Sequence, residues 1–213
     1  EIARKAKEGA VLNETDIPGT ARLTKDTSAH PGYLALPSME VITRDKTALM
    51  NAALKVEKAR VAGKGLIQVH DNRAVVDHPC PVYTAEDLDK VYGLDYSRAH
   101  LTYKKQTPAL EMNLFSVTSH RGCGGGCSFC SISGHEGKHV ISRSVSSIVD
   151  EIKGFTRHPR WKGFVADIGG ATAEMFGTDC DNATCKRVSC LSKNLCPQLG
   201  GTSPYLDLLR QAR

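Results

Sequence analysis

The sequence predicts an α/β protein, and three stretches carry that reading. Met112, Leu114, Phe115 and Val117 form an apolar run that reads as a strand and leads into a loop rich in glycine and cysteine. A helix from about Ser144 places Val145, Ile148, Val149, Ile152 and Phe155 on one stripe. Residues 164–168 form a second apolar strand, ended by Gly169 and Gly170. Strand, loop, helix and strand in that order make a βαβ unit, whose strands are expected to run parallel with a right-handed crossover. With 213 residues and 40% apolar side chains, the chain can bury a core.

Upstream of this unit, residues 1–110 read as a mixed α/β connecting region, and 111–213 as the domain that carries the chemistry. Residues 1–44 mix polar runs with the turn pairs Pro18-Gly19 and Pro31-Gly32 and show no sustained periodicity; one short strand is expected over 33–36. From Asp45 to Ala62, Leu49, Ala52, Ala53, Val56 and Ala59 recur at helical spacing, with Gly63 and Gly65 beyond the end. Residues 66–69 read as a strand before Asp71-Asn72. Thr84 and Asp87 form a capping pattern ahead of a short helix bearing Leu88, Val91 and Tyr92. The stretch from Leu206 to Arg213 reads as a helix that packs on something downstream, so the sequence is expected to be an internal piece of a longer protein.

Lys and Arg exceed Asp and Glu by 28 − 23 = 5. That excess is too small to call for nucleic acid or an anionic membrane. There is no apolar run of bilayer length and no signal-peptide pattern, so a cytoplasmic protein is the expectation. Eight cysteines in a reducing compartment point to metal rather than disulfides. The matches at Asn13-Glu14-Thr15 and Asn182-Ala183-Thr184 are then chance occurrences of a glycan signal. Cys80, between Pro79 and Pro81, reads as a free thiol on a turn.

Cys123, Cys127 and Cys130 stand at C-x3-C-x2-C spacing. Three thiolates on one short loop can hold three irons of a four-iron, four-sulfur cluster and leave the fourth iron open to substrate or cofactor. Gly122, Gly124, Gly125 and Gly126 let the backbone fold tightly around such a cluster and aim N–H groups at sulfur. The competing reading is a zinc loop closed by a fourth ligand, either a more distant cysteine or a histidine such as His120 or His135. Further on, Cys180, Cys185, Cys190 and Cys196 could close a tetrahedral zinc site or hold a second cluster. His135 and Glu136 read as part of a solvated polar loop, and Arg143 as a partner for a carboxylate, a phosphate or a helix end.

The C-x3-C-x-aromatic-C pattern, with Phe129 before the last cysteine, resembles the signature of the radical S-adenosylmethionine (radical SAM) superfamily. The wider stretch resembles its YgiQ-type branch: Asn113 to Val117, Arg121-Gly122-Cys123, Cys127 to Ile132, His135-Glu136-Gly137, Ser142-Arg143-Ser144 and Asp167 to Ala173. The likeness is stronger over 108–213 than upstream, where Tyr33-Leu34-Ala35-Leu36-Pro37-Ser38 and the helix after Asp45 look like the family's connecting segment.

The resemblance implies the start of a partial TIM-type barrel, preceded by the mixed connecting region. It implies a [4Fe-4S] cluster on Cys123, Cys127 and Cys130, with S-adenosylmethionine on the open iron. Phe129 would lie near the adenine, and Gly169 and Gly170 near the methionine end of the cofactor; the alternative for the two glycines is a tight turn after a strand. Their motif reads Gly-Gly-Ala-Thr here, where the commoner form is Gly-Gly-Glu. The branch also carries a group matching Cys180, Cys185, Cys190 and Cys196. The expected partners are S-adenosylmethionine, an unidentified substrate and a low-potential electron donor. The alternative from another class is a zinc-stabilised binding module without catalysis.

Overall fold

A computed structural model describes residues 2–9, 16–28, 30–81, 83–100, 107–180, 185, 187–192, 194–199 and 204–213. Both Asn-x-Thr matches lie outside these residues. The chain divides into two units, Glu1–Val82 and Tyr83–Arg213. That division falls earlier than the boundary expected at 110/111.

In the first unit, α1 (Ile2–Lys7), β1 (Ala21–Thr24), β2 (Leu34–Ala35), α2 (Met39–Arg44), α3 (Lys46–Val61), β3 (Leu66–His70) and β4 (Arg73–Asp77) follow in order. The sheet order is β1-β4-β3-β2, antiparallel except for the parallel β2/β3 pair. Asp71 adopts a left-handed φ of 48° and, with Asn72, turns β3 into β4. Along β4, Ala74 and Val76 are buried while Arg73, Val75 and Asp77 are exposed. That alternation sets the register: Ala74 and Val76 join Ile67 in a small core flanked by Tyr33 and Val69.

The α3 helix starts where expected, with the Asp45 side chain accepting from the Thr47 N–H at 2.8 Å. Its apolar stripe is narrower than the spacing implied. Ala52 and Ala59 are buried and Val56 is partly so, whereas Leu49 and Ala53 face solvent. The strand expected over 33–36 is β2. Nothing in the sequence reading anticipated α1, β1, α2 or β4.

The second unit contains α4 (Ala85–Tyr92), α5 (Pro108–Asn113), β5 (Ser116–Thr118), β6 (His120–Arg121), α6 (Ile132–Glu136), β7 (Ile141–Ser142), α7 (Val145–Phe155), β8 (Asp167–Gly169) and α8 (Pro204–Ala212). The predicted βαβ unit is β5–α7–β8, and β5 and β8 pair in parallel through Ser116–Asp167, Val117–Ile168 and Thr118–Gly169. Both strands are shorter than expected. Met112 belongs to α5, because Thr107 caps that helix and Pro108 occupies its first position, which fits proline's fixed φ. Phe164, placed in the second strand by its apolar character, is exposed and precedes β8.

The capping box before α4 is complete: the Thr84 hydroxyl accepts from the Asp87 N–H, and the Asp87 carboxylate accepts from the Thr84 N–H. The core of this unit joins Leu114, Phe115, Val117, Ile148, Phe155, Phe176 and Leu208. Leu208 is fully buried in this core, while Leu206 and Leu209 on the same helix are exposed. The Tyr205 hydroxyl donates to the Ile168 carbonyl at 2.6 Å and pins α8 to β8.

Candidate metal centre

Thr118 ends β5, and two residues later β6 pairs antiparallel with β7, His120 opposite Ser142 and Arg121 opposite Ile141. This short pairing closes the base of an excursion over residues 122–140 that carries Cys123, Cys127 and Cys130. Gly122 begins it at φ 90°, and a Cβ there would lie 1.9 Å from the His139 carbonyl oxygen, so only glycine fits. The Cys123 N–H donates to the Gly137 carbonyl at 2.9 Å and narrows the neck further.

Two of these sulfurs accept backbone N–H groups: Gly125 donates to Cys123 Sγ at 3.4 Å and Ile132 to Cys130 Sγ at 3.5 Å. Such contacts stabilise a thiolate and tune whatever it binds. Cys127 is exposed, whereas Cys123 and Cys130 are partly covered. The donor set and the glycine-lined backbone therefore suit a sulfide cluster.

The three sulfurs do not gather as they would around one zinc ion. Zn–S bonds of about 2.3 Å place tetrahedral ligands about 3.8 Å apart. Among the described residues, the one group of three candidate ligands lying within 4.8 Å of one another is Glu40, His70 and Asp71. That trio in the first unit, with Glu40 half-buried and His70 and Asp71 exposed, was not singled out from sequence, and its closest contact is 2.8 Å between His70 Nδ1 and Glu40 Oε1.

The two histidines considered as a fourth zinc ligand are placed differently. His120 is fully buried, with Nδ1 2.9 Å from the Ser119 hydroxyl and Nε2 3.0 Å from Thr172 Oγ1. Both ring nitrogens thus serve the fold. His135 is exposed, and its neighbour Glu136 is held by the Arg121 guanidinium at 3.0 and 3.1 Å. Arg143 meets a carboxylate of its own fold: its buried guanidinium donates to Glu151 at 2.6 Å, to the Thr118 carbonyl and to Ser147, and stacks over Tyr92.

Gly169 closes β8, and its carbonyl accepts from the Ser119 N–H at 2.7 Å. A Cβ on Gly170 would sit 2.8 Å from His120 Nε2, so this glycine is required by close packing against the imidazole. Phe129 is 91% exposed on the cysteine loop.

The second cysteine group lies against the first. The Cys190 N–H donates to the Gly124 carbonyl at 2.7 Å, and the Ser189 hydroxyl donates to the Gly125 carbonyl. Burial pushes the Cys190 thiol above its ordinary pKa, and the nearby Cys196, Cys185 and Cys180 add to the rise. These four sulfurs, too, are not drawn within single-ion distance. Sequence reasoning missed Met175, whose buried sulfur accepts from the Gly124 N–H at 3.3 Å, and Asp179, which accepts from the Ser142 N–H. An isolated methionine and aspartate carry no spacing signal that would have marked them.

The chain belongs to the radical SAM proteins through the family described as Radical SAM N-terminal, which matches residues 1–116. That match lies upstream of the cysteine loop, where the sequence likeness looked weaker. Within the class, the chain is of the YgiQ type, and its curated relatives carry the name UPF0313 protein. It is 36% identical to one from Methanosarcina mazei over 100% of this chain and 36% of the relative. It is 39% identical to one from Bacteroides thetaiotaomicron, over 91% and 33% respectively. A third, from Geobacter sulfurreducens, is 37% identical over 100% and 37%. The chain thus spans about a third of the length of these relatives. No solved structure matches it. Among the described residues, no helix is long and apolar enough to cross a membrane.

Proposed function

We propose that this chain holds the cofactors of a radical SAM enzyme, with Cys123, Cys127 and Cys130 ligating three irons of a [4Fe-4S] cluster and S-adenosylmethionine taking the fourth. The observation that supports this most is the glycine-necked loop at the end of β5, where three thiols share one turn of chain and two already receive N–H donors. Held by these three cysteines, a cluster would supply one-electron chemistry, the reductive cleavage of S-adenosylmethionine to methionine and a 5′-deoxyadenosyl radical able to take hydrogen from a substrate.

The chain's own residues then do three things. The N–H groups of Gly125 and Ile132 favour the thiolate forms and so set the potential. The exposed ring of Phe129 would cover the adenine, and Gly169 and Gly170 would lie near the amino-acid end of the nucleotide. The β5–α7–β8 unit is the opening of a partial barrel, to which later strands would add the substrate contacts. An external low-potential donor supplies the electron.

The zinc-module reading needs a fourth closed ligand for the first loop, and His120 already commits both ring nitrogens to hydrogen bonds. Cys180, Cys185, Cys190 and Cys196 form a separate thiolate site in this proposal. The test is anaerobic reconstitution of the full-length protein with iron and sulfide, followed by assay for 5′-deoxyadenosine. The wild type should be brown and form the product, and Cys127→Ala should lower the rate at least 100-fold. A colourless, zinc-loaded preparation, or a Cys127→Ala variant as fast as wild type, would overturn the assignment.

A further inference from the structure

Three contacts join the segment bearing the second cysteine group to the excursion bearing the first. Asp179, next to Cys180, accepts from the Ser142 N–H at the base of the excursion. Cys190 donates its N–H to the Gly124 carbonyl, and the Ser189 hydroxyl donates to the Gly125 carbonyl. The approach is so close that side chains are excluded. A Cβ at Gly124 would lie 2.8 Å from Cys190 Sγ, and one at Gly126 would lie 2.2 Å from the Val188 carbonyl oxygen. Gly126 also has φ 58°, a conformation that side chains resist. The glycine run between Cys123 and Cys127 is therefore shaped by residues 188–190, more than sixty positions along the chain.

Cys190 is the hinge of this arrangement. Its N–H is fixed to Gly124, its carbonyl accepts from the Cys196 N–H at 3.0 Å, and its sulfur lies over the glycine run. A metal held through Cys190 would fix the Gly124 carbonyl through one covalent residue. Four cysteinates can ligate every iron of a four-iron cluster, leaving no position for water or substrate, which makes the site a closed one.

We propose that Cys180, Cys185, Cys190 and Cys196 form a closed thiolate metal site that acts as a clasp, seating the loop of Cys123, Cys127 and Cys130 so that it retains its cluster. The inference rests on the cluster assignment above and adds a dependence: the first loop keeps iron because the second group is metallated. Gly124 and Gly126 are positioning residues, since what they meet is the second segment at Cys190 and Val188. The four sulfurs are not drawn within single-ion distance, so the metal in this proposal is a second iron-sulfur cluster, and metal analysis should read eight irons per chain; one zinc beside four irons would overturn it.

The experiment follows iron loss to a chelator from the anaerobically purified full-length protein, together with metal content and the spectrum of the reduced cluster. Cys185→Ser should lose the second group's metal and release first-loop iron at least fivefold faster. Gly126→Ala, with every cysteine intact, should do the same, and Ser189→Ala, which keeps the backbone contacts, should speed release about twofold. Wild type holding no metal beyond the four irons would overturn the clasp. So would Cys185→Ser and Gly126→Ala variants with wild-type iron retention. A wild type that binds no iron refutes the cluster assignment itself, whereas unchanged retention in the variants refutes only the clasp.

Discussion

The two units distribute their backbone hydrogen bonds differently. In the first, four strands form one sheet in which β3 and β4 each have partners on both sides, and a tight turn at Asp71 fixes their register. In the second, β5 pairs with β8 and β6 with β7, and none of the four has a second neighbour among the described residues. Side chains take over there. Arg143 donates to the Thr118 carbonyl, Arg98 to the Leu114 carbonyl and Tyr205 to the Ile168 carbonyl. A ladder shares its load over many similar bonds, whereas these anchors are single residues. The candidate metal centre therefore stands on the part of the molecule most exposed to point substitution.

The sharpest way to break this comparison is Glu151→Ala. Glu151 pairs with the buried Arg143 and also with Arg98, so its removal strands a guanidinium in the interior. The expected loss is about 3–5 kcal/mol, confined to the second unit. Trp161 packs edge-on against Phe115, and it is the chain's one tryptophan, so its fluorescence reports denaturation of that unit. Hydrogen exchange of the β3 and β4 amides should stay unchanged. A Trp161 transition that does not move would show that the anchors do not carry the unit.

Gly170→Ala should have a smaller effect, about 1–3 kcal/mol by the same Trp161 signal, because the new methyl group meets His120 at 2.8 Å in a packed site. An unchanged midpoint would mean that His120 yields. The smallest effect belongs to the first unit. Its own backbone N–H, Ser38 and the Asp71 N–H hold the Glu40 carboxyl at about 2, below the usual 4.5. Because the folded value is depressed, its stabilising contribution is complete above about pH 4.5 and disappears as the pH falls through about 2. Glu40→Gln should lose this acid dependence, and β3–β4 exchange rates from pH 5 to 2 would register it. Identical profiles for variant and wild type would remove Glu40 from the account.

The parts legible in the sequence are those specified locally. The capping box at Thr84, the Asp45 start of α3 and the Ile148–Phe155 stripe of α7 each depend on residues within a turn or two. β1 and β4 were not legible, because a four- or five-residue strand is chosen by its partners; Val75, for example, is as apolar as Val76 yet faces solvent. α5 was hidden by the apolar residues that follow it, and only Thr107-Pro108 marks its start. At the candidate metal centre, the cysteine spacing and glycine run stood out. What those glycines contact did not, since the meeting of Gly126 with Val188 is a tertiary event.

The burial of Leu208 has a bearing on biogenesis. Leucine 208 completes the interior shared by Phe115, Ile148 and Phe155, and it leaves the ribosome after every cysteine has already emerged. For that interval during translation, both cysteine-bearing segments are out before α8 can dock into this interior. Assembly factors that deliver iron would meet nascent thiols before their cradle has closed.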